Sequence, residues 1–174
     1  AANNEIGSIQ PIKDISALLE NHPTVSFHVD AVQAIGKMPL ADFLTDRVDF
    51  ATFSGHKFHS VRGVGFIFAK EGKKISPLLT GGGQESDKRS TTENLAGIAA
   101  TAKALRLVLD QFEAGQKRLL AMKKVILDEL ATYPDVTIFS HLEGFLPNIL
   151  TFGIKNVRGE VTVHAFEDHQ IYIS

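Results

Sequence analysis

The stretch 48–65, VDFATFSGHKFHSVRGVG, constrains the fold more than any other part of the chain. Val48, Phe50, Ala51, Thr52 and Phe53 form a β-prone run that breaks at Ser54-Gly55-His56-Lys57, and a second apolar run follows from Gly65 to Ala69. A strand therefore delivers a lysine into a tight polar turn. The charged head of lysine resists burial, so at a strand end it must reach water or a partner. Taken alone, this describes a solvated turn lysine, the commonest state of that residue.

A second strand-like run, Thr24-Val25-Ser26-Phe27-His28-Val29-Asp30, comes earlier and continues into Ala31-Val32-Gln33. If the two strands are parallel neighbours, Asp30 and Lys57 reach the same edge of a sheet, which is where open α/β sheets bind ligands. A lysine that forms a Schiff base and an aspartate that keeps a pyridine nitrogen protonated are the two protein groups that pyridoxal phosphate (PLP) most needs. The pair is a far more specific signal than either half.

The remaining pattern alternates helices with strands. Pro11 suits the first turn of a helix over 11–22 carrying Ile12, Ile15, Leu18 and Leu19 on one side, and Asn21-His22-Pro23 stops it. A short helical piece is expected near Ala41 to Leu44 before the chain returns to the strand at Val48, which implies a mainly parallel sheet. After a polar, glycine-rich segment with Gly81-Gly82-Gly83, Thr91 or Thr92 is the expected cap of a long helix. Its apolar positions include Leu95, Ile98, Ala102, Leu105, Leu109 and Phe112. Gly115 is the expected interruption, with the pattern resuming toward Leu130. Strands are expected at 136–139 and 149–152, a helix at 160–168, and a last strand at Ile171-Tyr172-Ile173.

Composition is that of a globular protein, with 44% hydrophobic and 22% charged residues. A formal net charge of -2 without a Lys/Arg-rich run argues against a direct nucleic-acid surface. No apolar stretch approaches the roughly 20 residues of a membrane span. The start Ala1-Ala2-Asn3-Asn4 is unlike a signal peptide, so a cytoplasmic location is expected. The chain has no cysteine, which excludes disulfides and thiolate metal sites within it. A metal reading built from His28-x-Asp30 with His56-x-x-His59 is the weaker alternative, because no H-E-x-x-H helix supports it; no metal is expected.

Several segments carry a family resemblance: Asn3-Asn4-Glu5-Ile6-Gly7, His28-Val29-Asp30-Ala31-Val32-Gln33, Ser54-Gly55-His56-Lys57-Phe58-His59, Gly81-Gly82-Gly83-Gln84-Glu85 and Arg89-Ser90-x-Thr92-x-Asn94. In this order they resemble cysteine desulfurases, in the class V aminotransferase-like branch of PLP enzymes. The resemblance runs over nearly the whole chain but covers only the middle of the family's length. It implies an incomplete fold-type I α/β transferase. Residues 1–80 would be the C-terminal part of the large PLP-binding domain, 81–118 the glycine loop and connecting helix, and 119–174 the start of a truncated small α+β domain.

The resemblance also implies roles. Lys57 would form the imine with PLP and later move a proton from the substrate α-carbon; Asp30 would hold the pyridinium proton; Gln33 would bond the phenolic oxygen. Ser54 and His56 would hold the phosphate, Asn4 would lie near the ring hydroxyl and substrate carboxylate, and Thr92 would reach the phosphate of a neighbouring subunit in a homodimer. Read from the residues alone, Asp30 as a turn cap, which leaves its partners unexplained, Gln33 as a helix-start polar residue, and Ser54 and His56 as ordinary turn residues are the alternatives. The implied activity converts L-cysteine to L-alanine, passing sulfur to an enzyme cysteine and on to an acceptor protein for iron–sulfur cluster assembly or tRNA thiolation. The acceptor cysteine of the family lies beyond the equivalent of Ser174, and the stacking histidine, the phosphate loop and the substrate arginine also fall outside this chain. The chain by itself is therefore expected to be inactive. Two features depart from the family pattern: Ser60-Val61 replaces a Gly-Pro pair beside the lysine, and Thr91 replaces a glycine. Another class V aminotransferase and a non-catalytic interaction module stay open as alternatives.

Overall fold

The computed structural model describes all residues 1–174 and divides them into two compact units. The first holds Gln10–Phe112 together with Ala1; the second holds Ala2–Ile9 and Glu113–Ser174. No helix is long and apolar enough to cross a membrane.

The first unit opens with helix α1 (Ile12–Glu20), which buries Ile12 and Ser16. The Ser16 hydroxyl bonds the Ile12 carbonyl at 2.7 Å and lies 2.6 Å from the Thr45 hydroxyl. Strands β1 (His28–Asp30), β2 (Phe50–Ser54) and β3 (Gly65–Ala69) form one sheet in that order. β1 runs parallel to β2, with Asp30 opposite Thr52, whereas β2 and β3 are antiparallel, with Ser54 opposite Gly65. The parallel expectation thus holds for one of the two pairings. The lysine-bearing connection between β2 and β3 is too short for a parallel return, which needs a crossover of about a dozen residues or more. Between β1 and β2 the chain passes through a single 3₁₀ turn, Leu40–Asp42.

β1 is shorter than the apolar run that encodes it, because the Asp49 and Arg47 side chains take the Phe27 N–H and the Val25 carbonyl. The Phe27 N–H donates to Asp49 Oδ2 at 2.8 Å. Arg47 donates to the carbonyls of Leu19 (3.1 Å), His22 (3.2 Å) and Val25, gathering the end of α1 and the following turn, and pairs with Asp49 at 3.0 Å. Lys73 closes the cluster on the other carboxylate oxygen at 2.9 Å. Asp49 is 2% exposed. Burial pushes its carboxyl up, but the hydrogen bonds from Lys73, the Phe27 N–H and Arg47 outweigh that cost and hold it down at about 2.

Under the sheet, Phe43 and Phe58 are almost wholly buried. Phe53 stacks on Phe66 with ring centroids 4.6 Å apart, and Phe58 meets Phe66 edge-on. β3 is an edge strand whose Phe66, Ile67 and Phe68 remain exposed.

Beyond β3 comes one turn, α2 (Gln84–Asp87), in which Glu85, Ser86 and Asp87 all have positive φ, and then α3 (Leu95–Asp110). The cap of α3 is Asn94, whose side chain accepts from the Gly97 N–H at 3.0 Å, and not Thr91 or Thr92. Those two threonines lie outside the first turn, too far along the chain to satisfy its free N–H groups. The helix breaks at Gln111, and α4 (Phe112–Leu130) carries Gly115 inside it. The expected interruption at Gly115 is therefore absent, since an interior glycine costs only about 1 kcal/mol relative to alanine.

In the second unit α4 is followed by β4 (Val136–Ile138), β5 (Phe152–Ile154) and α5 (Gly159–Glu167), the strands pairing antiparallel. The early segment Ala2–Ile9 is tied into this unit. The Leu146 N–H donates to the Gly7 carbonyl at 2.7 Å, Ser140 Oγ donates to the Ile6 carbonyl at 2.5 Å, and Thr151 Oγ1 to the Glu5 carbonyl at 2.6 Å. Gly7 has φ +79, and a Cβ there would come within 2.9 Å of the Ile149 Cβ, so the segment can seat only with glycine. Lys123 is buried and donates to the Leu146 carbonyl at 2.9 Å; burial lowers its pKa. The run Ile171-Tyr172-Ile173 is not a strand, because no strand lies beside it to supply a ladder, and Tyr172 is 80% exposed.

Candidate active site

Because β1 and β2 are parallel neighbours, their C-terminal ends open at one edge of the sheet, with Asp30 closing β1 and Ser54 closing β2. The Asp30 carboxylate is oriented locally: Oδ1 accepts from the Val32 N–H at 3.0 Å, leaving Oδ2 without a hydrogen bond. The chain then coils back through successive turns, with the Ala31 N–H on the Thr52 carbonyl and the Ala34 N–H on the Ala31 carbonyl. Gln33 lies in this coil, 9% exposed, and its amide makes no hydrogen bond within the chain.

Lys57 sits in the 3₁₀ turn Gly55–Phe58 that follows β2 directly. Its neighbours in sequence hold the turn. Phe58 is the apolar anchor at 1% exposure, His59 closes the turn in the left-handed region at φ 71, and the Ser60 N–H returns to the Gly55 carbonyl at 3.1 Å. The Gly55 N–H reaches the Val64 carbonyl at 2.9 Å. A side chain at Gly55 would crowd the Val64 carbonyl, Ser60 and Thr101, each at 3.0–3.1 Å from a Cβ, so this approach requires glycine. Against this restrained backbone the Lys57 side chain is exposed and its Nζ makes no hydrogen bond. The Ser54 hydroxyl and the exposed His56 ring are likewise without partners.

The Ser60-Val61 departure is accommodated by a hydroxyl pair. Thr101 Oγ1, buried on α3, donates to the Gly97 carbonyl at 2.8 Å, so its lone pairs face Ser60 Oγ, which lies 2.8 Å away and donates to it. Thr101→Val keeps the shape and removes the acceptor. It is expected to cost about 1 kcal/mol of stability and to raise amide exchange selectively in 55–60; unchanged exchange there would show that the pair does not hold the turn.

Thr92 precedes α3 on the exposed surface, and its carbonyl accepts from Thr91 Oγ1 at 3.4 Å. Asn4 belongs to the second unit, exposed in a tight loop shaped by its neighbour Asn3, whose Oδ1 accepts from the N–H groups of Glu5 and Ile6, each at 2.9 Å. No three His, Asp or Glu side chains come together as a metal site would require; His28 Nε2 lies 3.2 Å from Thr52 Oγ1.

The structure also brings forward a residue that pattern reading passed over. Lys37, half-buried in the loop after Gly36, donates from Nζ to the Lys57 carbonyl at 2.7 Å. Burial, and after it the charge of Lys57, lower its pKa to about 8. Its sequence setting, a lysine in a Gly-x-Met-Pro loop, carries no sign of this reach.

The donor set at the sheet edge fits PLP. It offers a free amine for an aldehyde, a carboxylate oxygen for a pyridinium proton, an amide for a phenolic oxygen, and a hydroxyl and an imidazole for a phosphate. None of these groups is spent on another residue of the chain, apart from the one Asp30 oxygen held by Val32.

Residues 1–174 match the family model described as Aminotransferase class-V. A NifS/IcsS protein homolog of Lactobacillus delbrueckii subsp. bulgaricus is 51% identical over 173 residues, which cover 99% of this chain and 45% of that protein. A cysteine desulfurase of a Nostoc species is 36% identical over 174 residues, covering 99% of this chain and 43% of the other. Among solved structures, a NifS-like protein superposes with a TM-score of 0.93 at 37% identity, covering 100% of this chain and 47% of that one. The chain thus spans about half the length of the relatives it matches.

Proposed function

The chain belongs to the aminotransferase class V family, and from that premise we propose that it forms the lysine-bearing part of a PLP-dependent cysteine desulfurase. Class V aminotransferases and cysteine desulfurases are PLP enzymes. The observation that carries the reading is the unpartnered Lys57 amine and the Asp30 carboxylate at the ends of two adjacent parallel strands. PLP, when bound, supplies an electrophilic carbonyl for amines and an electron sink in its protonated ring.

In this reading Lys57 Nζ would hold the cofactor carbonyl and would move the proton from the α-carbon of L-cysteine, returning one to the product. Asp30 Oδ2 would hold the proton on the pyridine nitrogen. The Gln33 amide would donate to the phenolic oxygen, and Ser54 Oγ and the His56 ring would hold the phosphate. Asn4 serves the ring hydroxyl and the substrate carboxylate. Thr92 serves the phosphate of a second subunit, so that the complete site belongs to a homodimer. The C–S bond of L-cysteine breaks, the sulfur passes to a thiolate as a persulfide, and the carbon skeleton takes a proton to leave as L-alanine. The thiolate comes from outside residues 1–174, which contain no cysteine. The persulfide would then serve a sulfur-acceptor protein.

The test compares the full-length protein with residues 1–174 at identical PLP, L-cysteine and reductant. The full-length protein is expected to release sulfide and alanine in equal amounts, and residues 1–174 to release no sulfide above free PLP. A full-length protein that turns an amino acid into a keto acid without releasing sulfide would replace this reading with another class V aminotransferase. One without the visible absorbance of bound PLP would leave neither.

A further inference from the structure

We propose that Lys37 is a positioning residue for Lys57, tethering the backbone of the lysine-bearing turn to the coil that follows Asp30. The inference rests on the PLP reading above and adds to it a residue that the donor set does not contain.

The geometry is specific. The 3₁₀ turn Gly55–Phe58 has apolar support below, from Phe58, and a hydroxyl latch on one flank, from Ser60 to Thr101. The carbonyl of Lys57 itself takes no backbone donor; the side chain of Lys37 supplies one, at 2.7 Å. A hydrogen bond from an ammonium is about twice as strong as a neutral one. It acts on the residue whose amine must meet a reacting carbon, where a misplacement of about 1 Å costs on the order of a hundredfold in rate.

Lys37 is also built into position. The Lys37 N–H bonds the Ala34 carbonyl at 3.0 Å, one turn beyond the Asp30 carboxylate. Gly36, at φ +73, lies so close to Val108 that a Cβ would come within 2.5 Å of a Val108 methyl. The backbone before Lys37 therefore lies directly against α3, in a left-handed conformation and a close approach that only glycine permits. One side chain thus links the carboxylate-bearing strand end to the lysine-bearing one. The fall of its pKa to about 8, from burial and then from the Lys57 charge, agrees with two amines held side by side.

Two variants of the full-length protein test the assignment: Lys37→Met, which keeps the stem and loses the donor, and Lys37→Arg, which restores a cation able to donate. In the holoenzyme, Lys37→Met is expected to lower kcat about 10- to 100-fold with KM for L-cysteine within about twofold and PLP still bound; Lys37→Arg is expected to recover most of the loss. In the apoprotein, independently of any cofactor, Lys37→Met should speed amide exchange in 55–60 while leaving β1 and β2 protected. Wild-type kcat in Lys37→Met, or exchange in 55–60 unchanged in its apoprotein, would overturn the tether. Loss of protection throughout the first unit would also overturn it, by showing a general structural role. Should wild-type protein bind no PLP while Lys37→Met still loosens 55–60, the function reading fails and the tether stands.

Discussion

Replacing Lys57 with alanine in the full-length holoenzyme is expected to reduce turnover of L-cysteine by about ten-thousand-fold or more and to abolish the PLP adduct fixed by borohydride. Proton transfer by a positioned side chain is worth up to about 10⁴-fold, and in the proposed function the same amine would also bond the cofactor. No other group takes over. Lys37 Nζ, the nearby amine, is committed to the Lys57 carbonyl, a backbone atom that the alanine substitution retains. Peptide mapping of the reduced wild-type protein should place the adduct on Lys57. An adduct on Lys37 would exchange the roles of the two lysines, and one on Lys103 or Lys123 would remove the site from this sheet edge.

Replacing Asp49 with alanine is expected to destabilise the protein by about 3–5 kcal/mol, the usual cost of removing one partner from a buried ion pair. That is a large part of the roughly 5–15 kcal/mol that separates folded from unfolded domains. The cost is high because Asp49 answers Arg47, Lys73 and the Phe27 N–H at once, and Arg47 in turn holds three carbonyls at the end of α1 and in the turn after it. The same carboxylate makes stability depend on pH. Its folded-state pKa, about 2, lies below its ordinary value of 3.8, so its contribution is complete above about pH 4 and is lost as the pH falls from there toward 2. The amount is roughly 2 kcal/mol, since each pKa unit is worth about 1.4 kcal/mol. Urea melts between pH 2 and pH 5 should show this slope in the wild type and lose that portion of it in Asp49→Asn. A variant that melts like the wild type at pH 7 would show that the cluster contributes nothing.

The residues at the two strand ends were legible because their signal is local: an apolar run closed by Asp30, and another closed by Ser54 and followed at once by Lys57. What pattern reading missed depends on partners distant in sequence. Lys37 reaches a carbonyl 20 residues away, and Ser60 meets Thr101 across 41 residues. A hydroxyl in a loop carries no mark of either partner. The start of α3 turned on competition among neighbouring capping residues: Thr91, Thr92 and Asn94 all favour such positions, and only the backbone decides which one faces Gly97. β1 shortened because a side-chain carboxylate took the N–H of Phe27, a substitution of side chain for ladder that hydrophobic alternation does not encode.

The loop that carries Asn4 depends on a part of the protein that does not exist when the loop is made. The hydroxyls that grip it, Ser140 and Thr151, lie 134 and 146 residues downstream of the carbonyls they bind. During synthesis at about 5–20 residues per second, the Asn3–Asn4 segment must wait roughly 7–30 seconds for these partners, while α1 and the pairing of β1 with β2 need only nearby chain to form. Contacts so distant in sequence carry the largest loop-closure cost and form late. The strand ends thus have their backbone partners early, and the Asn4 loop is ordered late, once the chain has been extended through Thr151.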